Sequence, residues 1–228
     1  MQFSMNQRDI NVVMGVIGII GLGIFSQWLP FVILRVPMPE GILASSGVTT
    51  FWQTLALVIV PYVWATRRLG ASLADLGITR RKLGMSTALG CGLYLIALAS
   101  FIHCSNSDLM MNHAVRRSDL GDAAIMVLFM GITAAGTDMT TRGFILLTLA
   151  RHSHVVFAIF MQNLVWFLGH IQEIKLLTGC LGVVMATVLT LTLGIVGDMV
   201  VLRTRNVMGL AVAHFLLNVV LSIYIRHI

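Results

Sequence analysis

The sequence predicts an all-α fold: a polytopic transmembrane bundle of about seven spans. Composition is the first sign. Of the 228 residues, 57% are hydrophobic and only 11% charged, with a mean hydropathy of +0.92. An ordinary soluble domain carries about 25% charged residues. Segment length is the second sign, because crossing the hydrocarbon layer takes about 20 apolar residues of helix. No internal repeat, low-complexity segment or appended soluble domain breaks the pattern. Residues 1–228 therefore read as a single membrane domain.

The predicted spans are Val12–Leu34, Thr49–Ala65, Ser86–Cys104, Ala123–Ala150, Val155–His170, Leu176–Leu202 and Val207–Ile225. The first follows Arg8 and Asp9 and exceeds the roughly 7–15 apolar residues of a signal-peptide core, so it reads as a retained span. Pro30 and Pro61 are expected to kink the first and second spans, since proline removes a ladder donor. Between spans, Leu73–Lys82 combines leucines with Arg80, Arg81 and Lys82, which suits a short interfacial helix or turn. The polar stretch Ser105–Asp122, with His113, Arg116, Arg117 and Asp119, is either a cap over the bundle or a solvated loop.

The net charge of +6 sits on 13 arginines and two lysines, Lys82 and Lys175. These collect at span ends, which points to topology and lipid headgroups as partners and excludes a nucleic-acid face. With the N-terminus inside, nine basic residues (Arg8, Arg67, Arg68, Arg80, Arg81, Lys82, Arg151, Arg203, Arg205) face inward. Five (Arg35, Arg116, Arg117, Lys175, Arg226) face outward, leaving out Arg142 as intramembrane. The bias predicts a cytoplasmic N-terminus. Cys91, Cys104 and Cys180 are isolated and lack a Cys-x-x-Cys pair, so they are expected to be small buried hydrophobes.

Three pieces of chain carry candidate chemistry, because acids and histidines within spans are costly and usually functional. Asp138 and Arg142 are four residues apart and can pair on one helix face. With Thr133, Thr137 and Thr141 they form a polar stripe that lipid cannot satisfy, so the stripe should face inward. An ion pair joining helices would explain it structurally; an acid in a polar cavity would explain it functionally. Asn163 and His170, seven apart, share a face, and Glu173 can orient the His170 ring. Trp166 suits an interface belt or a site wall. His214 and Asn218 share a face one turn apart, with His214 about 10 Å into its span by helix rise. Asp138 and His214 then lie near mid-membrane, whereas His170 lies about 10 Å from the midpoint of its own span.

Two imidazoles, a carboxylate and an amide suit water activation with oxyanion stabilisation. They also resemble a metal site with an open position. The His-Glu-x-x-His helix of zinc peptidases and the Gly-x-Ser-x-Gly elbow are both missing from the sequence. We expect no cofactor and no bound metal.

Thr137–Asp138–Met139–Thr140–Thr141–Arg142–Gly143, Trp166–Phe167–Leu168–Gly169–His170 and His214–Phe215–Leu216–Leu217–Asn218 stand in order on three apolar segments. In this they resemble the CPBP family, the CAAX protease and bacteriocin-processing membrane proteins that include type II CAAX prenyl endopeptidases. The resemblance spans residues 70–225, with Leu73–Lys82 and Leu202–Val207 at the matching approaches. Trp166 replaces the family's Phe, and its opening Glu-Glu pair is replaced by Thr137 and Asp138. The resemblance implies a site of Asp138, His170, His214 and Asn218, with His170 as the water partner. The water-activating carboxylate would fall on Thr137, whose hydroxyl cannot act as a base near neutral pH.

Three readings follow. The chain is a CPBP-like protein that has lost proteolysis and serves as a membrane scaffold or subunit, with other membrane protein helices as partners. Alternatively it is a divergent active endopeptidase using His170 with Asp138 or Glu173. A small transporter or metal-binding membrane protein is the third.

Overall fold

The computed structural model describes residues 6–28, 42–104 and 120–227. The expected kink at Pro30, the basic residues Arg35, Arg116 and Arg117, and most of the Ser105–Asp122 stretch lie outside these residues. Among the described residues the chain is all helix and turn. The helices are α1 (Gln7–Trp28), α2 (Ile42–Gln53), α3 (Val60–Arg68), α4 (Leu83–Cys104), α5 (Leu120–Asp138), α6 (Leu147–His152), α7 (Val155–Gly169), α8 (Ile171–Leu181), α9 (Val183–Thr204) and α10 (Met208–His227). Two π-helical stretches, Thr54–Ile59 and Met139–Leu146, join α2 to α3 and α5 to α6 without a break.

Among the described residues, five helices are long and apolar enough to cross a membrane: Gln7–Ser26, Gly47–Arg68, Leu83–Cys104, Ala124–His152 and Val183–Thr204. α7 and α8 together form a sixth candidate, bent by 74°, and Met208–Leu221 is a shorter apolar helix. Large apolar side chains such as Leu22, Phe51, Leu95 and Val184 are exposed along these helices, as a lipid solvent allows.

The expected span Leu176–Leu202 is corrected. The helix runs from Val183, and Leu176–Leu181 belongs to α8. Gly182 separates them with φ 77° and ψ 156°, a conformation open to glycine and costly for residues with a Cβ. Residues 73–82 form turns rather than an interfacial helix. Ser72 and Asp75 close that segment reciprocally: Ser72 N–H donates to Asp75 Oδ2 at 2.9 Å, and Asp75 N–H donates to Ser72 Oγ at 3.2 Å. Asn206 then fastens it to the turn before α10, donating to the carbonyls of Thr79 (2.5 Å) and Arg81 (2.9 Å).

Pro61 shapes the bundle through a missing donor. In a regular helix, the Leu57 carbonyl would accept from the N–H of residue 61, which proline lacks. Thr140 Oγ1 from the second π-helical stretch donates to that carbonyl at 2.5 Å. In return, Tyr62 Oη donates to the Met139 carbonyl at 3.0 Å. The second π-helical stretch therefore donates to the backbone of the first and accepts from α3, and these two bonds tie down residues 139 and 140.

The expectation of three isolated cysteines is also corrected. Cys104, at the end of α4, is disulfide-bonded to Cys180 in α8, with Cα atoms 5.5 Å apart. The break at Gly182 lets α8 fold across the end of α4, which a continuous span from Leu176 would have prevented. Cys91 remains a free, half-buried thiol.

Candidate active site

Arg142 is among the largest side chains in the bundle that are fully shielded from solvent. It lies within the π-helical stretch, where the widened helix shifts the register of the residues that follow Asp138. Its guanidinium faces two carboxylates, a backbone carbonyl and an aromatic ring. It is ion-paired to Asp138, one turn earlier. Nη2 donates to the Gly194 carbonyl at 3.2 Å. Nε lies 3.3 Å from Asp198 Oδ1, and the planar group lies 4.1 Å from the centroid of the Trp166 ring. Neither carboxylate is exposed. A charge so far from water is tolerated only when paired and hydrogen-bonded, as here.

α9 reaches this close because of two glycines. A Cβ at Gly197 would stand 2.5–2.7 Å from three guanidinium atoms of Arg142, and one at Gly194 would strike Asn163 and Trp166. Helix α9 thus presents bare backbone where the polar side chains of α7 and the π-helical stretch cross it.

Asp138 organises the second half of the cluster. Its Oδ2 accepts from Tyr94 Oη of α4 at 2.8 Å and lies 3.1 Å from His214 Nδ1 of α10. Beside a carboxylate, Nδ1 is the nitrogen that carries the proton in a neutral ring, which leaves Nε2 as the acceptor. The Tyr94 ring also stacks on His214, with centroids 4.5 Å apart.

His170 occupies the bend between α7 and α8. Its Nδ1 is 2.8 Å from the Trp166 carbonyl. A carbonyl only accepts, so Nδ1 bears the hydrogen and Nε2 again holds the free lone pair. The ring stacks on Trp166 at 3.8 Å and faces His214 at 6.2 Å between centroids, the two imidazoles inclined by 18°. The Trp166 indole is buried and donates to the Thr190 carbonyl at 3.3 Å, so it is a wall of the site and not an interface anchor.

The structure therefore brings Asp138, Arg142, His170 and His214 into one cluster. Asn218 stands one turn beyond His214 and donates to the His214 carbonyl at 3.1 Å, so its bond is to backbone and not to the ring. Asn163 donates to Asp198 Oδ2 at 2.7 Å. Glu173 does not hold His170, whose ring is oriented by the Trp166 carbonyl instead; Glu173 is half-buried, and its Oε2 has no hydrogen-bond partner among the described residues. Thr137, at the position of the missing family glutamate, donates its hydroxyl to the Thr133 carbonyl at 3.0 Å. Thr141 does the same to Thr137 at 2.7 Å. Thr137 and Thr141 thus bond to their own helix, whereas the Thr133 hydroxyl lies 3.3 Å from that of Thr50 in α2.

Two participants escaped the motif reading. Asp198 is an acid within the apolar run Val183–Thr204, as conspicuous by that test as Asp138. Tyr94 is an aromatic hydroxyl midway along α4, and nothing in its spacing points to Asp138. Among the described residues no group of three or more His, Cys, Asp or Glu side chains is arranged to hold a metal ion.

Residues 119–220 match the family model described as type II CAAX prenyl endopeptidase Rce1-like. The match covers α5 through most of α10, and so Asp138, Arg142, His170, Asp198, His214 and Asn218. It begins after the turn at residues 73–82 and after Tyr94. No curated protein and no solved structure gives a significant match. With its motifs gathered on neighbouring helices inside an apolar bundle, this multi-pass integral membrane protein carries a region similar to the type II CAAX prenyl endopeptidase Rce1-like family, a match that supports a CPBP-type protein.

Proposed function

We propose that the chain keeps the architecture of a CPBP site without its endopeptidase activity, and serves as a membrane scaffold or a subunit of a membrane complex. One observation carries this reading: no uncommitted carboxylate stands where the resemblance puts the water-activating base. Position 137 bears a hydroxyl engaged by its own helix. Asp138 is engaged by Arg142, Tyr94 and His214, and Asp198 by Arg142 and Asn163. Losing a general base commonly costs about 10²–10⁴ in rate. The partners of such a subunit are lipids and the helices of other membrane proteins.

A second reading has its own support. Glu173 and Asp198 each have a buried oxygen without a hydrogen-bond partner among the described residues, but Asp198 Oδ1 lies 3.3 Å from Arg142 Nε, whereas no ion pair to Glu173 is seen among the described residues. In an active divergent endopeptidase Glu173 would take the role of base beside the free Nε2 of His170.

The orientation proposed for the chain is N-terminus inside. The charge bias favours it, and the disulfide adds a separate argument. Cys104 ends a helix that starts beside Arg80–Lys82, so the bridge lies at the end of α4 away from that basic cluster. Disulfides persist in oxidising compartments, which supports an outside location for that end.

The experiment is a cleavage assay on membrane-tethered peptides with the native chain, Thr137→Glu, Glu173→Gln and His170→Ala. The first reading expects no cleavage by the native chain above the His170→Ala background, and cleavage appearing with Thr137→Glu. Cleavage by the native chain that is lost in both Glu173→Gln and His170→Ala would establish the second reading in its place. Purification of the native chain in mild detergent with a stoichiometric membrane partner would support the subunit role.

A further inference from the structure

A cavity of about 510 Å³ opens at the end of the bundle where α1 begins and α3 and α6 finish. It has no part in the site above. Its lining has two characters. Arg8 and Arg68 bring guanidinium groups from the first turn of α1 and the last turn of α3, with Asn11 and His152 beside them. Val12, Trp64 and Leu69 supply an apolar wall. The Trp64 indole is braced edge-on against Phe144, 6.0 Å between centroids.

The local charges are uneven. The one nearby acid in α1, Asp9, is hydrogen-bonded to His152, Oδ1 to Nδ1 at 3.0 Å. Neither Arg8 nor Arg68 has an ion-pair partner among the described residues. The cavity therefore offers two uncommitted guanidiniums above an apolar wall, at the border where the spans Gln7–Ser26 and Gly47–Arg68 end. Guanidinium forks match phosphate oxygens in pairs. Basic pockets between helices at a membrane border suit anionic headgroups, and the volume falls within the range of roughly 300–1,000 Å³ typical of small-ligand sites.

We propose that this cavity is a binding site for an anionic phospholipid. The phosphate sits between Arg8 and Arg68, and the first part of an acyl chain lies along Val12 and Trp64. The apolar wall selects a lipid over free phosphate. The two positive charges disfavour a zwitterionic choline headgroup, whose ammonium would meet them. The inference stands apart from whether the chain cleaves peptides.

The test uses the full chain purified in detergent, with lipid retention counted by native mass spectrometry and thermal stability followed as lipid is added. The probes are phosphatidylglycerol, phosphatidylcholine and inorganic phosphate. Phosphatidylglycerol is expected to be retained and to raise the melting temperature, while the other two have little effect. Arg8→Ala with Arg68→Ala should weaken the phosphatidylglycerol response at least about tenfold, and Arg203→Ala with Arg205→Ala, on the exposed basic turn before α10, should not. If the double alanine variant fails to fold, Asn11→Trp, which fills the cavity and leaves both arginines, should produce the same loss. An equal response to inorganic phosphate would show an anion site without a lipid. An equal response to phosphatidylcholine, or equal loss in the Arg203/Arg205 control, would show unselective lipid or charge binding. Each of these overturns the proposal, as does a response that survives both cavity variants.

Discussion

Arg142 Nε lies 3.3 Å from Asp198 Oδ1, and solvent reaches neither side chain. The guanidinium therefore has two carboxylates, one from its own helix at Asp138 and one from α9. An Asp138–Arg142 pair alone would brace a single helix. The second carboxylate turns it into a tie between the π-helical stretch and α9, and Asn163 extends the tie to α7. Lipid gives helices little hydrophobic reason to associate, so such polar ties and close backbone packing carry more of the assembly than in water.

Removing Asp198 should consequently be felt across three elements. Asp198→Ala is expected to destabilise the protein by about 3–5 kcal/mol, the usual cost of stranding a buried charge. Asp198→Asn, which keeps Asn163 within bonding reach, should cost less. Thermal unfolding in detergent measures both. A double-mutant cycle with Arg142→Ala should show coupling above about 0.5 kcal/mol; strictly additive losses would mean that the 3.3 Å contact holds nothing together.

Much of this was legible from spacing, and the limits of spacing explain the rest. Asp138 with Arg142 and His214 with Asn218 are one-turn relationships, so the helix period alone places each pair on one face. The membrane class was equally legible, because long apolar runs have few alternative explanations. Contacts between helices were not. Tyr94 meets Asp138 across 44 residues and Asp198 meets Arg142 across 56, and no period connects them. The α8–α9 boundary was missed because leucines and valines continue on both sides of Gly182, so hydropathy hides a break that depends on one backbone conformation. The disulfide was hidden by the same break, since Cys104 and Cys180 are 76 residues apart and meet only once α8 turns back.

The bond between the two π-helical stretches predicts an unusual rescue. Thr140→Val removes the donor to the half-buried Leu57 carbonyl, which should cost about 0.5–1.5 kcal/mol, the net worth of a typical hydrogen bond. Pro61→Ala restores an N–H one turn beyond that carbonyl. In the Pro61→Ala background the Thr140→Val penalty should shrink to a fraction of its value. An unchanged penalty in both backgrounds, measured by thermal unfolding, would show that Thr140 acts by packing and not by replacing the proline's missing donor.

Outside the membrane, Asp75 links stability to pH. The Arg151 guanidinium at 2.6 Å, then the Ser72 N–H and hydroxyl, hold its carboxyl well below the ordinary value of 3.8. A depressed folded-state pKa gives stability that is fully present above the unfolded value. That stability fades as pH falls below about 4 toward the folded value. Both side chains are more than a third exposed, at 46% for Arg151 and 36% for Asp75, so water screens the pair. Its contribution should be about 0.2–1 kcal/mol. Asp75→Asn should therefore unfold at a lower temperature than the native chain at pH 7, with the gap narrowing near pH 3. A gap that widens on acidification would reverse the sign argued here.

The bridge between α4 and α8 makes the most direct prediction about covalent structure. Cys104 and Cys180 close a loop with a sequence separation of 76 residues, and cross-links over long loops typically stabilise by about 2–4 kcal/mol. Because α8 continues from the His170 bend, releasing it should loosen the stack of His170 on Trp166 before the Asp138–Arg142–Asp198 core is disturbed. Alkylation of the denatured, unreduced chain should add one label, at Cys91, and alkylation after reduction should add three. Reduction, or Cys104→Ser with Cys180→Ser, should lower the unfolding temperature, and hydrogen exchange should rise first in residues 170–182. Three labels without reductant would show that the thiols are free in the protein as made. Reduction that speeds exchange equally throughout α5 and α9 would show that the bridge supports the whole bundle and not the α8 segment alone.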